Sequence, residues 1–81
     1  MSIQSSHKKF LEKAVLIAGS QKKLAVALSR ILRERGEKRE IKQPQIWNWL
    51  HRDKVFQAEY AIPIEMATNG EVTRYDLRPD L

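Results

Sequence analysis

The chain reads as an all-α protein, a compact bundle of four or five helices forming one domain over residues 1–81. Three observations predict this. Apolar residues recur at spacings of three and four through most of the sequence. Gly19, Gly36 and Asn69-Gly70 stand where those stretches should end. No run of alternating residues makes a convincing strand, and there is no internal repeat or low-complexity tract. At 81 residues and 42% hydrophobic content, the chain can fill one small core and is too short for two.

The first helix is expected over Ser6 to Ala18, with Phe10, Leu11, Ala14, Val15, Ile17 and Ala18 as its apolar positions and Ser5 or Ser6 as N-cap. Gly19 stops it. Ser20 can accept hydrogen bonds from the open amides of a second helix, whose apolar positions Leu24, Ala25, Leu28, Ile31 and Leu32 carry the period to Arg35. Gly36 ends that helix, and the charged stretch Glu37 to Lys42, with Ile41 as its one aliphatic residue, reads as a mobile connection. Pro44 suits the first turn of a third helix, Lys42 to Arg52, where its missing amide hydrogen matters little. Beyond Asp53 the chain loosens, then Gln57 to Thr68 turns helical again with Tyr60, Ala61, Ile64 and Ala67 facing inward. Pro63 restricts this to a helix starting near Ile62, or one joined to an irregular turn from Ala58. Asn69-Gly70 ends it, Thr73 can cap a last short turn through Leu77, and Arg78-Pro79 closes that turn.

Composition excludes several function classes. The chain has no cysteine, so a disulfide frame and thiolate metal ligation are both ruled out. His7 and His51 are far apart and lack an acidic cluster, and no metal or other cofactor is expected. The longest strongly apolar run, Ala14 to Ala18, cannot cross a bilayer, and the polar start has no signal-peptide apolar region, which predicts a soluble cytoplasmic protein. Gly19 to Lys23 has the flavour of a phosphate loop but lacks its upstream glycine and strand. No paired carboxylates or nucleophile–base arrangement stands out, so the chain is not expected to be an enzyme.

The net charge of +5 is unevenly spread: eleven Lys and Arg oppose four Glu through Lys42, whereas four oppose six acids from Gln43 onward. A basic first half attracts polyanions without specifying a sequence, and a plain solvated Lys-rich surface would look the same. The third helix adds specificity. Ile46, Trp49 and Leu50 form one apolar stripe for the core, while Gln43, Gln45, Asn48 and Arg52 fall largely outside it. Amides donate and accept as base edges do, and a cationic end suits phosphate, which makes this helix the candidate DNA-reading element.

The segments GSQKKLAVAL, QIWNWLHR and AIPIEMATNGEVTRYDLRPDL resemble the YdaS-like family of prophage-encoded Cro-type regulators, some of whose members are described as antitoxins. The resemblance covers Leu16 to Leu81. Its most specific part is the ending, close to the family's I-E-x-A-T-x-G-x-V-T-R-x-D-L-R-P-D. It implies a lambda-repressor-like helix-turn-helix domain of the Cro and CI kind that represses transcription by binding operator DNA as a homodimer. By this likeness Gln21 matches a polar residue that opens the second helix and touches phosphate, Ala25 the small residue between the two motif helices, and Ile46 the buried anchor of the reading helix. Gln43, Pro44, Gln45, Trp47 and Asn48 occupy its outward, base-reading positions. Trp47 is unusual there, with thymine methyls, the sugar-phosphate backbone or neighbouring protein as its possible contacts.

One departure stands out. The family's compact motif has about six residues between the last apolar anchor of the second helix and the buried aliphatic of the third. Here Ser29 to Gln45 intervenes, which predicts an extended second helix and an inserted loop. Phosphate contacts are expected from Ser20, Gln21, Lys22 and Lys23 at the second helix's start, from Lys38, Arg39 and Lys42 in the loop, and from His51 and Arg52. The expected activity is promoter occlusion by a double-stranded DNA-binding repressor. Its rivals are an activator using the same motif and an antitoxin or protein-interaction module that sequesters a toxin partner. The apolar residues Tyr60, Ile62, Met66, Val72, Tyr75 and Leu81 exceed what a small core needs and offer a self-association surface.

Overall fold

In the computed structural model, which describes residues 6–52 and 56–78, every regular element is helical: α1 Ser6–Ala18, α2 Gln21–Glu34, α3 Gln43–His51, a 3-10 turn Ala58–Tyr60, α4 Ala61–Ala67 and α5 Arg74–Leu77. The order and bounds follow the sequence signals closely. Gly19 adopts a positive φ of 112° after α1, and the Ser20 hydroxyl accepts from Lys23 N–H at 3.1 Å to cap α2. The N-cap expected at Ser5 or Ser6 falls on side chains outside those described, as do Pro79 and Leu81. Both permitted accounts of Pro63 merge into one: the 3-10 turn starts at Ala58 and runs into α4, so Pro63 stands in the first turn, where no intrahelical amide bond is lost.

Two helix ends share one geometry. After α2, Glu37 N–H reaches Leu32 C=O at 2.9 Å and Gly36 N–H reaches Arg33 C=O at 3.0 Å, with Gly36 at φ 85°. After α4, Gly70 N–H reaches Glu65 C=O at 2.9 Å and Asn69 N–H reaches Met66 C=O at 3.2 Å, with Asn69 at φ 54°. Both are Schellman closures, which need a residue tolerant of the left-handed region at the turn; glycine and asparagine are the two that supply it at least strain.

The core is built around α2, which packs on α1, α3 and α4 through Leu24, Ala25, Leu28 and Leu32. Leu11 and Ala14 enter from α1, Ile46 and Trp49 from α3, and Ile64 from α4, all at most 1% exposed. Ile17 departs from its expected role: it is 39% exposed beside Leu16 at 80%, because the buried line of α1 runs through His7, Leu11 and Ala14 and leaves Ile17 at its edge. Ile31 is only half-buried for the same reason on α2. Of the apolar excess in the second half, Tyr60 and Val72 are buried, while Met66 and Tyr75 remain exposed. Phe56, a position with no expected role, is 1% exposed and packs its ring 5.0 Å from that of Trp49.

The connection between α2 and α3 differs from a mobile link. Its single aliphatic, Ile41, is 3% exposed, and the buried Ser29 hydroxyl accepts from Ile41 N–H at 2.8 Å while lying 3.0 Å from Ile41 C=O and 2.9 Å from Ala25 C=O. One small hydroxyl on α2 thus satisfies the backbone of the one loop residue that enters the core, and that is what anchors the segment. Ser29→Ala should therefore lose about 1 to 3 kcal/mol of stability, since Ile41 N–H would be left buried without this partner. A shifted denaturant midpoint with an unchanged slope is the expected readout.

The tail is tied by polar bonds. Thr68, 1% exposed, donates to Ile64 C=O at 3.0 Å and accepts from Val72 N–H at 3.1 Å, and Thr73 with Asp76 forms a reciprocal capping box on α5. Glu65 accepts from the backbone N–H of Arg74 at 2.7 Å and from its Nε at 3.2 Å, and these bonds hold the Glu65 carboxyl below its ordinary pKa. A depressed folded-state pKa means that this contribution is complete above the unfolded carboxylate value of about 4.3 and is lost as pH falls through the folded one. Glu65→Gln should be less stable than the parent at neutral pH, with the gap closing below about pH 4 in acid titrations of unfolding.

Candidate nucleic-acid interface

The α3 helix divides cleanly by burial. Ile46, Trp49 and Leu50, at 0, 1 and 8% exposure, face the core, which leaves Pro44, Trp47, Asn48 and His51 as the ridge turned furthest from it at spacings of three and four. Pro44, Trp47 and His51 are exposed and Asn48 is half-buried; Gln43 is exposed at the helix start, Gln45 is half-buried on its flank, and Arg52 is exposed at its end. The indole of Trp47 lies 4.7 Å from the imidazole of His51, one turn further along. His51 also borders a shallow groove of about 360 Å³ between α1 and α3, together with Val15, Leu16 and Leu50.

The two helix starts meet. Gln43 Nε2 donates to Gln21 Oε1 at 2.6 Å, which joins the first residue of α3 to the first residue of α2. Each residue opens its helix, so unpaired backbone amides and positive dipole ends converge beside this amide pair. Lys22 and Lys23 stand exposed next to Gln21, with Ser20 half-buried as the cap beneath them. From Gly19 to Arg33 and from Ile41 to Arg52 the sequence contains no Asp or Glu. The surface formed here therefore joins hydrogen-bonding side chains with the exposed charges of Lys22 and Lys23, with Glu12 of α1 on the groove beside Gln21.

The loop cations are placed differently. Arg39 is bonded to both Glu37 and Glu59, which raise its pKa, with Glu59 the larger cause, and its guanidinium lies 5.4 Å from the centre of the Tyr60 ring. Its charge is thus matched within the fold, between the loop and the 3-10 turn. Lys42 lies 3.9 Å from Glu40 in an exposed pair, and Lys38 is exposed. Sequence spacing gave no sign of the Arg39–Glu59 contact, because the partners are 20 residues apart and meet only through the tertiary fold.

The extended α2 and α3, with their starts brought together across an anchored insert, define a small all-helical domain of the helix-turn-helix type. The family described as bacterial toxin YdaS matches residues 11–81, and the chain belongs to that family. The match begins five residues before the resemblance seen in the sequence and includes most of α1. No curated protein and no solved structure matches the chain. No helix among the described residues is long and apolar enough to cross a membrane.

These placements separate the cations by expected effect. If this surface binds duplex DNA, Lys22→Ala should weaken binding to any duplex and flatten the salt dependence by about one unit of log–log slope, whereas Arg39→Gln, at a position already matched by two carboxylates, should leave that slope nearly unchanged. Binding titrations over a range of salt concentrations measure both.

Proposed function

We propose that this chain is a sequence-specific DNA-binding regulator of transcription, a Cro-like repressor of prophage origin that occludes a promoter and binds its operator as a homodimer. The observation that carries the reading is the 2.6 Å Gln21–Gln43 bond, which locks together the starts of α2 and α3, two helices that carry no acid from Gln21 to Arg33 or from Gln43 to His51. In this reading α3 enters the major groove. The start of α2 rests on the phosphate backbone, where Ser20 and Gln21 supply hydrogen bonds and Lys22 and Lys23 supply charge. Lys38, Lys42, His51 and Arg52 contribute further charge or hydrogen bonding along the rim. Gln43, Gln45 and Asn48 are the amide readers, since a carboxamide can pair with both N6 and N7 of adenine. Gln43 spends its amide N–H on Gln21 and leaves its own oxygen and remaining hydrogen outward, so the pair is positioned before DNA arrives. The mechanism is equilibrium binding and steric exclusion, with no bond made or broken.

A second reading belongs to another class: an antitoxin or protein-interaction module that engages a toxin partner. The family's description names a toxin and no partner, and what supports this reading is the apolar surface of exposed Leu16, Val26, Met66 and Tyr75, which lie off α3. Stable co-purification with the product of an adjacent gene, together with only salt-labile binding to all DNA, would select this reading over the first.

The test is fluorescence anisotropy with the DNA upstream of the chain's own gene and with a random duplex, at low and physiological salt. The expected result is a preference of about a thousandfold or more that survives physiological salt. Gln43→Ala and Asn48→Ala should each lose about 1 to 3 kcal/mol on the specific duplex and little on the random one. Equal losses on both would remove the amides as base readers.

A further inference from the structure

The ridge of α3 turned furthest from the core is not mainly amide. Its centre is Trp47, 44% exposed, and nothing in the packing of α3 calls for a large aromatic there, because Ile46, Trp49 and Leu50 already fill the core face. Nor is the indole loose on the surface. Its ring centroid is 4.7 Å from that of His51 at an interplanar angle of 44°, and both residues lie on one ridge, four residues apart. The imidazole backs the indole on one side and narrows its rotamers, so an apolar group is presented outward without a large ordering cost on contact.

The surroundings decide what that group would meet. No Asp or Glu occurs from Ile41 to Arg52 or from Gly19 to Arg33, and exposed Lys22, Lys23, Lys42 and Arg52 stand on these same segments. Glu12 of α1 lines the same groove as His51, across from α3. The electrostatic complement of this surface is a polyanion. Within the major groove of a DNA duplex, base edges offer donors, acceptors and one apolar group, the 5-methyl of thymine.

We propose that Trp47 reads thymine through its 5-methyl group in the major groove, with His51 as the positioning residue that fixes the indole against it. The contact rests on the DNA-binding reading above and adds to it a base class that the amides cannot read. Gln and Asn recognise adenine by hydrogen bonds, whereas Trp47 recognises its partner base by shape and apolar contact. Sites bound by this chain therefore carry a thymine at a fixed offset from the bases read by Gln43 and Asn48.

The experiment uses duplexes enriched from a random pool by the full chain, then prepared in two forms, one with thymine and one with deoxyuridine throughout. The parent protein should bind the deoxyuridine form more weakly, by about fourfold for each methyl contacted, from the transfer value for one methylene. Trp47→Ala should bind the thymine form more weakly than the parent does and be indifferent to the exchange. His51→Ala should retain part of the sensitivity, because the indole survives but is held less firmly. Far-ultraviolet circular dichroism and the fluorescence of buried Trp49 report that each variant is folded. Equal binding of both duplex forms by the parent would overturn the proposal, as would full thymine sensitivity in Trp47→Ala. A chain that enriches no sequence from the pool would overturn the DNA-binding reading itself, an outcome distinct from the loss of the thymine contact alone.

Discussion

Everything functional in this fold depends on one seat, the indole of Trp49 held between Phe56 and Tyr60 with ring centroids 5.0 and 5.1 Å away. Trp49 is 1% exposed, and its helix has only nine residues, too few to be stable alone in water. The position of α3 is therefore set by its buried face. The same seat reaches the loop, because the Tyr60 ring that meets Trp49 also lies beneath the Arg39 guanidinium, and Arg39 in turn holds Glu37 and Glu59. An aromatic cluster thus fixes the candidate reading helix and steadies the segment leading into it.

That segment solves a geometric problem raised by the long second helix. Fourteen residues of α2 span about 21 Å, and without a return path α3 would begin near the far end of α2. The connection runs back along α2 instead. Ile41 meets Ser29 partway, and Gln43 arrives beside Gln21 at the helix start. Glycine at position 36 makes the reversal possible by closing α2 in a left-handed turn. The insertion therefore lengthens the path between α2 and α3 while keeping their starts together.

Much of this was legible in the sequence, for local reasons. The end of α1 and the bounds of α2 and α3 follow from a serine cap, glycines and a proline whose effects act within a few residues. The family-like ending was also legible, and the structure gives its physical content: Glu65 on Arg74, Thr68 on Val72, Asn69 in the turn, and Thr73 with Asp76. Those residues bind one another, so the most recognisable stretch of the chain is a clip that holds α4 to α5. What escaped the sequence is tertiary in origin. The burial of Phe56, the Ser29 anchor for Ile41 and the pairing of Arg39 with Glu59 each join residues 7 to 20 apart, where no periodicity applies. For the site, spacing correctly set the core face of α3 apart from the rest, but only the fold brought Gln21 to Gln43 and put Trp47 against His51.

In the proposed function, α3 and the start of α2 form one surface for duplex DNA. The most direct measurement is a nuclear magnetic resonance titration of the ¹⁵N-labelled chain with a duplex it has enriched from a random pool. Amide shifts should concentrate in Ser20 to Lys23 and along Gln43 to Arg52, the exposed Trp47 indole N–H should move, and α4 and α5 should stay still. Shifts confined to Leu16, Met66 or Tyr75, with the start of α2 and the outer ridge of α3 unperturbed, would contradict it.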